Sequence, residues 1–398
     1  MEAQARRLEE LDLLRGFAVF VMVLVTTPGD WAHHFPALQH ADWHGWTFAD
    51  LVFPDFLFGV GMALGLTYGR SLDPVRGAHA FRRKLLRRVA GLVLLGLALN
   101  YVYVIAGQLG SPPVGPTDET TWRIPGVLQR IALCYLLAVG VVALTARRMQ
   151  DSGTQLRPLA VLGAIITILL GYWALLVVVP AGGYGAGDLS KVGNLPAVID
   201  RAVFTPQHMW PLGAEAWRGP VVYDPEGLLS TLPATANVLS GVLAVGLWRD
   251  FPRWRLVLLA AIGAALIGAG LLLDGLFPIN KKIWTSSFVL LTVGFSFLFL
   301  LGMALAVKLR LARLLAPLRI LGGNAILAFS LSIIVAAMAG VPLTGGDPSA
   351  TLQSLGNSAM LAVIPDPWFA SFAWGCVVAL SIAALLWPLD RRGIHLRL

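Results

Sequence analysis

The chain has 398 residues, of which 57% are hydrophobic and only 13% charged, with a mean hydropathy of +0.73. A soluble domain carries about 25% charged residues, so an ordinary globular enzyme is excluded, and so is intrinsic disorder, which needs low hydrophobicity. The net charge of +8 does not point to nucleic acid, because Lys and Arg sit in short segments between apolar runs rather than on one face.

A membrane span takes about 20 apolar residues. In chain order, the apolar runs predict ten transmembrane helices at 11–28, 50–69, 88–107, 126–146, 158–179, 228–248, 256–276, 284–307, 316–340 and 368–388. The expected fold class is an all-α, polytopic integral membrane protein, read as one transmembrane domain over 1–398 with a Gly- and Pro-rich loop insert at 180–227. The start, MEAQARRLEELD, lacks the pattern of a cleaved signal peptide, so the first run is expected to stay as a helix. Cys134 and Cys376 lie inside apolar runs with no C-x-x-C pair, which gives neither a redox centre nor a zinc site.

Summing Lys and Arg on alternate sides of this path puts 22 on one side and six on the other. The richer side includes Arg6, Arg7, seven residues within 70–88, and Arg397; the poorer side holds Arg123, Lys191, Arg201, Arg218, Lys281 and Lys282. By the positive-inside rule both termini face the cytoplasm, and loops 29–49, 108–125, 180–227 and 341–367 face away from it.

Polar side chains gather on that second side. GDWAHHFPALQHADWHGWTFADLVFP, from Gly29 to Pro54, carries four of the seven histidines (His33, His34, His40 and His44) with Asp30, Asp42 and Asp50. Histidine titrates near neutrality, so one of these can serve as general base or acid. Two other readings stand beside it: a loop whose Trp31, Trp43 and Trp46 join an interfacial aromatic belt, and a metal site using His40 and His44. Arg123 precedes the fourth helix, with Gln129 and Arg130 just inside it. Asp224 and Glu226 precede the sixth, where carboxylates also suit a helix N-terminus. Asn280, Lys281 and Lys282 precede the eighth. Such cationic groups can hold phosphates or carboxylates. GVGMALG at Gly59–Gly65 resembles a nucleotide loop but sits mid-span, where small residues serve helix packing. The basic run at Arg82–Arg88 is accounted for by topology and anionic lipid. Asp55, at the edge of a span, must face protein or water.

LDLLRGFAVFVMVLV, HADWHGWTFADLVFP, RIPGVLQRIALCY, YDPEGLLSTLP, INKKIWTSS and GGNAI, in that order, resemble the heparan-α-glucosaminide N-acetyltransferase family and its bacterial, DUF5009-type membrane relatives. The resemblance implies transfer of an acetyl group from acetyl-CoA to an amino sugar. The lysosomal member acetylates the terminal glucosamine of heparan sulfate on the lumenal side with acetyl groups from cytosolic acetyl-CoA, and its active-site histidine maps onto His40. In a bacterial inner membrane the periplasm corresponds to the lumen, and a cell-wall or chitin-derived amino sugar is the analogous acceptor. The family's Asn after the first helix is replaced here by Thr26 or Thr27.

The implied site then has His40 as base or acetyl carrier, with Asp42 or Asp50 orienting it. Arg123, Gln129, Arg130, Asn280 and Lys281 are expected toward the donor, and Trp43, His44, Asp224 and Glu226 toward the acceptor. No resident metal is expected. The expected partners are the lipid bilayer, acetyl-CoA, an amino-sugar acceptor and a second copy of the chain as a homodimer, with no nucleic acid. Two alternatives stay open: an amino-sugar transporter without chemistry, against which no inverted repeat of interrupted helices is visible, and a sugar O-acyltransferase.

Overall fold

The computed structural model describes residues 8–68, 78–111, 122–149, 153–215, 219–343 and 347–395. Of the cations counted above, Arg6, Arg7, Arg70, Arg76, Arg218 and Arg397 lie outside these residues. The described chain is helical apart from a three-residue hairpin, β1 (Arg147–Met149) against β2 (Gly153–Gln155).

Apolar composition and helix-forming residues give α1 (Glu9–Thr26), α2 (Phe48–Thr67), α3 (Ala78–Gln108), α4 (Val127–Thr145) and α5 (Pro158–Val178). A short α6 (Leu195–Phe204) follows, then α7 (Thr231–Asp250), α8 (Arg255–Leu273), α9 (Ser286–Lys308), α10 (Ala316–Gly323), α11 (Ala325–Met338), α12 (Leu352–Leu361) and α13 (Pro367–Arg391). Eight of these, α2 to α5, α7 to α9 and α13, are long and apolar enough to cross a bilayer, which makes the protein a polytopic membrane protein.

The expected count of ten is changed at two places. α1 has 18 residues but carries Glu9, Glu10, Asp12 and Arg15, and so falls short of an apolar span. The ninth expected span, 316–340, is two helices bent by 96° at Asn324, so the total reaches nine only if that pair crosses once. Gly322, Gly323 and Asn324 at this break are poor helix formers. The broken pair is the one interrupted span among the described residues and forms no repeat.

α2 is the central helix, buried along most of its length, and α7 packs along it. The two backbones touch: a Cβ on Gly61 would lie 1.8 Å from the Val238 carbonyl oxygen, and one on Gly241 would lie 2.0 Å from that of Phe58. Only glycine allows this approach, so GVGMALG is a packing surface. α3, α5 and α8 turn largely exposed apolar faces outward, as lipid-facing helices do.

Loops 27–47, 122–126, 179–230 and 274–285 meet at one end of the bundle. Gly45 N–H donates to the Ile279 carbonyl at 2.8 Å, and Ile124 N–H to that of His208 at 2.9 Å. Residues 180–215 and 219–227, with α6, cap this end around a small core shared with its neighbours: Trp43, Tyr172, Ala197, Tyr223, Phe277 and Ile283.

Candidate active site

The first turn of α2 organises the site. Thr47 is its N-cap and Asp50 its third residue, the T-x-x-D spacing of a capping box. Asp50 is wholly buried, and its two oxygens do different things. Oδ2 accepts from the Thr47 N–H at 2.9 Å and the Ala41 N–H at 3.1 Å, which closes loop 41–47 onto the helix. Oδ1 lies 2.8 Å from His40 Nδ1 and 3.3 Å from Lys281 Nζ. A carboxylate only accepts, so His40 Nδ1 carries the proton and Nε2 keeps its lone pair. Lys281 Nζ also stands 2.9 Å from His40 Nδ1 and 3.2 Å from Nε2, so the ammonium lies against the ring.

The His40 side chain is 37% exposed, which leaves it open to an incoming molecule. Desolvation and then the Lys281 charge lower its pKa to about 4, against the upward pull of Asp50. The imidazole is therefore neutral at pH 7 and needs no prior deprotonation to act as a base. Lys281→Met removes a charge that opposes the imidazolium, so the acidic limb of a pH–rate profile is expected to move up toward the ordinary histidine value near 6.5. A limb that stays put or moves down in kcat/KM measurements contradicts this coupling.

Lys281 and Lys282 stand in the turn before α9, which is held by buried groups. Asn280 accepts from the Ile283 N–H at 3.1 Å through Oδ1, and its amide nitrogen lies 3.4 Å from His44 Nδ1. Trp284 adopts a left-handed backbone (φ 54), unusual for a bulky residue. Its indole N–H donates to Asn237 Oδ1 at 3.1 Å, and Asn237 donates to Thr292 Oγ1 at 3.1 Å. The Arg130 guanidinium lies 4.9 Å from the Trp284 ring centroid.

The remaining candidates form a second group. Arg123 Nε donates to Asp224 Oδ2 at 2.9 Å and Nη2 to Asp224 Oδ1 at 2.5 Å, and Nη2 also donates to Glu226. Burial opposes all these charges, yet Arg123 holds the Glu226 carboxyl below its ordinary value, and the two carboxylates hold the guanidinium above its own. Arg130 is fully buried and donates through Nη2 to the Gly227 carbonyl at 3.0 Å and to Ser230, leaving Nε and Nη1 without partners. Gln129 donates to the Ile124 carbonyl at 2.9 Å, and its Oε1 is buried without a partner. It helps line a cavity of about 170 Å³ between α3, α4 and α11 whose wall also includes Asn100, Tyr103, Arg123, Trp210 and Phe329.

Several expectations are revised by this arrangement. Asp42 does not orient His40: it is 90% exposed and pairs with Lys191 at 3.0 Å, while Asp50 takes the imidazole. Trp43 is not a free stacking surface, because its N–H is spent on the Leu189 carbonyl at 2.8 Å and its ring packs on Tyr223. Arg123, Asp224 and Glu226 pair with one another instead of facing separate ligands. His40 and His44 turn to different partners, Asp50 and Asn280. Thr26 and Thr27 spend their hydroxyls on their own helix, donating to the carbonyls of Met22 and Val23 at 2.9 and 2.7 Å.

Trp284 and Asp200 near the site were not singled out from the sequence, and Lys282 was named only as one of three polar residues before the eighth expected helix. Lys282 lies over Trp210, with Nζ 4.8 Å from the ring centroid. Trp284 was hidden in an apolar run. Asp200 on α6 accepts from the Leu228 N–H at 2.9 Å with its other oxygen unpartnered, and burial raises its pKa to about 7.

The class is thus set by the fold and the cluster together: a multi-pass helical membrane protein with a buried carboxylate, an open neutral imidazole and an ammonium in mutual contact at one end. Residues 7–176 match the family model described as Heparan-alpha-glucosaminide N-acetyltransferase, catalytic. The human and mouse proteins named heparan-alpha-glucosaminide N-acetyltransferase are each 29% identical to the chain, over 337 and 335 residues. Those matches cover 76% and 75% of this chain but 49% of each relative, so the chain spans about half the length of the curated relatives it matches. Over these stretches the chain is similar to that family; the matches do not address the DUF5009-type grouping. The matched residues 7–176 include His40, Asp50, Arg123 and Arg130.

Proposed function

We propose that the chain is a membrane-embedded acetyltransferase that moves an acetyl group from acetyl-CoA to the amine of an amino sugar. The observation that carries this reading is the contact between His40, Asp50 and Lys281 in a chain similar to heparan-α-glucosaminide N-acetyltransferases. His40 Nε2 takes the proton of the attacking amine, and Asp50 holds the ring in the tautomer that leaves Nε2 free. Lys281 keeps the imidazole neutral before the reaction and, as an ammonium beside it, stabilises negative charge on a reacting carbonyl oxygen. A direct transfer and a passing acetyl-imidazole both fit this geometry.

Acetyl-CoA supplies an acetyl group activated as a thioester. The cavity beside Gln129 suits the apolar, amide-bearing arm of such a donor, because its mainly apolar wall also carries the polar side chains of Asn100, Tyr103 and Arg123. Its volume holds only part of that arm. The phosphates belong elsewhere, since Asp224 and Glu226 already occupy the Arg123 guanidinium. The charge distribution, summed along ten spans, supports placing the site on the non-cytoplasmic face, which in a bacterial inner membrane is the periplasm; both termini are cytoplasmic on that path, which requires α1 and the bent α10–α11 pair each to cross once.

The test uses protein reconstituted in vesicles, acetyl-labelled CoA, and glucosamine beside its N-blocked counterpart. Label is expected on glucosamine and absent from the blocked sugar. Equal labelling of both makes the protein an O-acyltransferase, and accumulation of unmodified sugar inside vesicles without acetyl-CoA makes it a transporter.

A further inference from the structure

We propose that Lys282 is a self-acetylation site, the amine that takes the acetyl group when no sugar acceptor is bound. This rests on the acetyl-transfer reading above. Lys282 is only 7% exposed, yet among the described residues no carboxylate lies within 4.0 Å of its nitrogen. Two other lysines near the site are engaged: Lys281 with Asp50 at 3.3 Å and Lys191 with Asp42 at 3.0 Å. Lys282 instead rests on the face of Trp210, a contact that leaves its nitrogen lone pair, once deprotonated, uncommitted.

Position supplies the second argument. Trp210 is shared: Lys282 lies over its ring, and the same residue helps line the cavity assigned to the donor arm. The backbone N–H of Trp210 donates to Asp224 Oδ2 at 2.7 Å, so the ring is fixed to the Arg123 ion pair. Trp210 thus joins the cavity wall to Lys282, whose chain neighbour Lys281 contacts His40. Holding a nucleophile beside an activated carbonyl replaces a bimolecular encounter with an intramolecular one.

Ionisation supplies the third. Desolvation, and next the charge of Lys281, lower the Lys282 amine to about 8. At pH 7 about one molecule in ten then carries the free amine, against roughly one in 2,500 for an ordinary lysine near 10.4. The step balances without an oxidant or reductant. The neutral amine attacks the thioester carbonyl carbon, an N–C bond forms, the C–S bond breaks, and the amine proton ends on the departing thiolate. The product is a neutral amide, so the site loses one positive charge facing Asp50 and Glu226.

The experiment incubates the full chain in vesicles with acetyl-CoA and no acceptor, then maps acetyl groups by peptide mass spectrometry with fragment ions that separate Lys281 from Lys282. The expected result is hydroxylamine-stable acetyl on Lys282, formed at least about tenfold faster than on Lys191 or Lys308. The rate should fall about tenfold per pH unit below about 8, and glucosamine should suppress it. Lys282→Arg should remove the mark from that peptide. Acetylation of Lys282 no faster than of Lys191, equal labelling in denatured chain, or a mark on Lys281 instead, overturns the proposal while sugar transfer in the same preparation leaves the transfer reading intact. A preparation that acetylates neither lysine nor sugar overturns both.

Discussion

Asp50→Asn is expected to lower kcat/KM for acetyl transfer by about 10²–10⁴-fold while leaving the fold in place. The asparagine carbonyl can still accept from the Ala41 and Thr47 N–H groups, so loop 41–47 stays closed on α2. What is lost is the anion at Oδ1. The amide NH₂ that replaces it donates to His40 Nδ1 and so forces the proton onto Nε2, the nitrogen that must accept from the substrate amine. Lys281 loses its 3.3 Å counter-ion in the same step. Thermal unfolding near the wild-type midpoint, with activity reduced by two or more orders of magnitude, is the outcome that separates orientation from folding. Activity within about threefold of wild type means that Asp50 only caps the helix.

The second large effect is structural. Asp224→Ala removes the bidentate partner of Arg123, and Glu226 alone does not satisfy both edges of the guanidinium. Glu226 remains as the counter-ion, so the loss is that of two buried charge-assisted hydrogen bonds, each worth about 1.5–3 kcal/mol. The same substitution frees the Trp210 N–H, which donates to Asp224 Oδ2. The cap over the site is therefore expected to loosen, with a lower unfolding midpoint and faster proteolysis within 180–227. Combining Asp224→Leu and Arg123→Met with Glu226→Gln should recover much of the loss, since all three charges of the cluster are then gone. If the single variant unfolds like wild type, the ion pair does not hold the cap.

The long helices were legible because hydropathy is a local property. The expected span 158–179 matches α5 at Pro158–Val178, and 126–146 matches α4 at Val127–Thr145. α3 begins at Ala78, ten residues before the apolar run, because the basic segment RRKLLRR is made of good helix formers that hydropathy discounts. The bend at Asn324 was masked by apolar sequence on both sides, and α6 and α12 are too short to register as spans.

Within the site, His40 and Lys281 could be named from motifs, but their contact spans 241 positions and no local pattern carries it. The same holds for Arg123 and Asp224, 101 positions apart, whose mutual neutralisation turned two expected ligand contacts into one ion pair. Asp42 and Asp50 were separable in principle: Thr47 three residues before Asp50 is a capping signal that buries Asp50 at a helix start, whereas Asp42 has no such anchor. Lys282 was visible only as one cation among several, and Trp284 left no signal, since a left-handed turn at a tryptophan is decided by tertiary packing.

The central claim is that His40 performs acetyl transfer to a sugar amine. Its most direct test compares wild type with His40→Ala, both reconstituted in vesicles with labelled acetyl-CoA and glucosamine, after circular dichroism shows equal helix content. Label on the sugar with wild type, falling by at least about 10²-fold in the variant, is the predicted result. Equal transfer by the two proteins, or none by a wild-type preparation that binds both acetyl-CoA and glucosamine, would contradict the account.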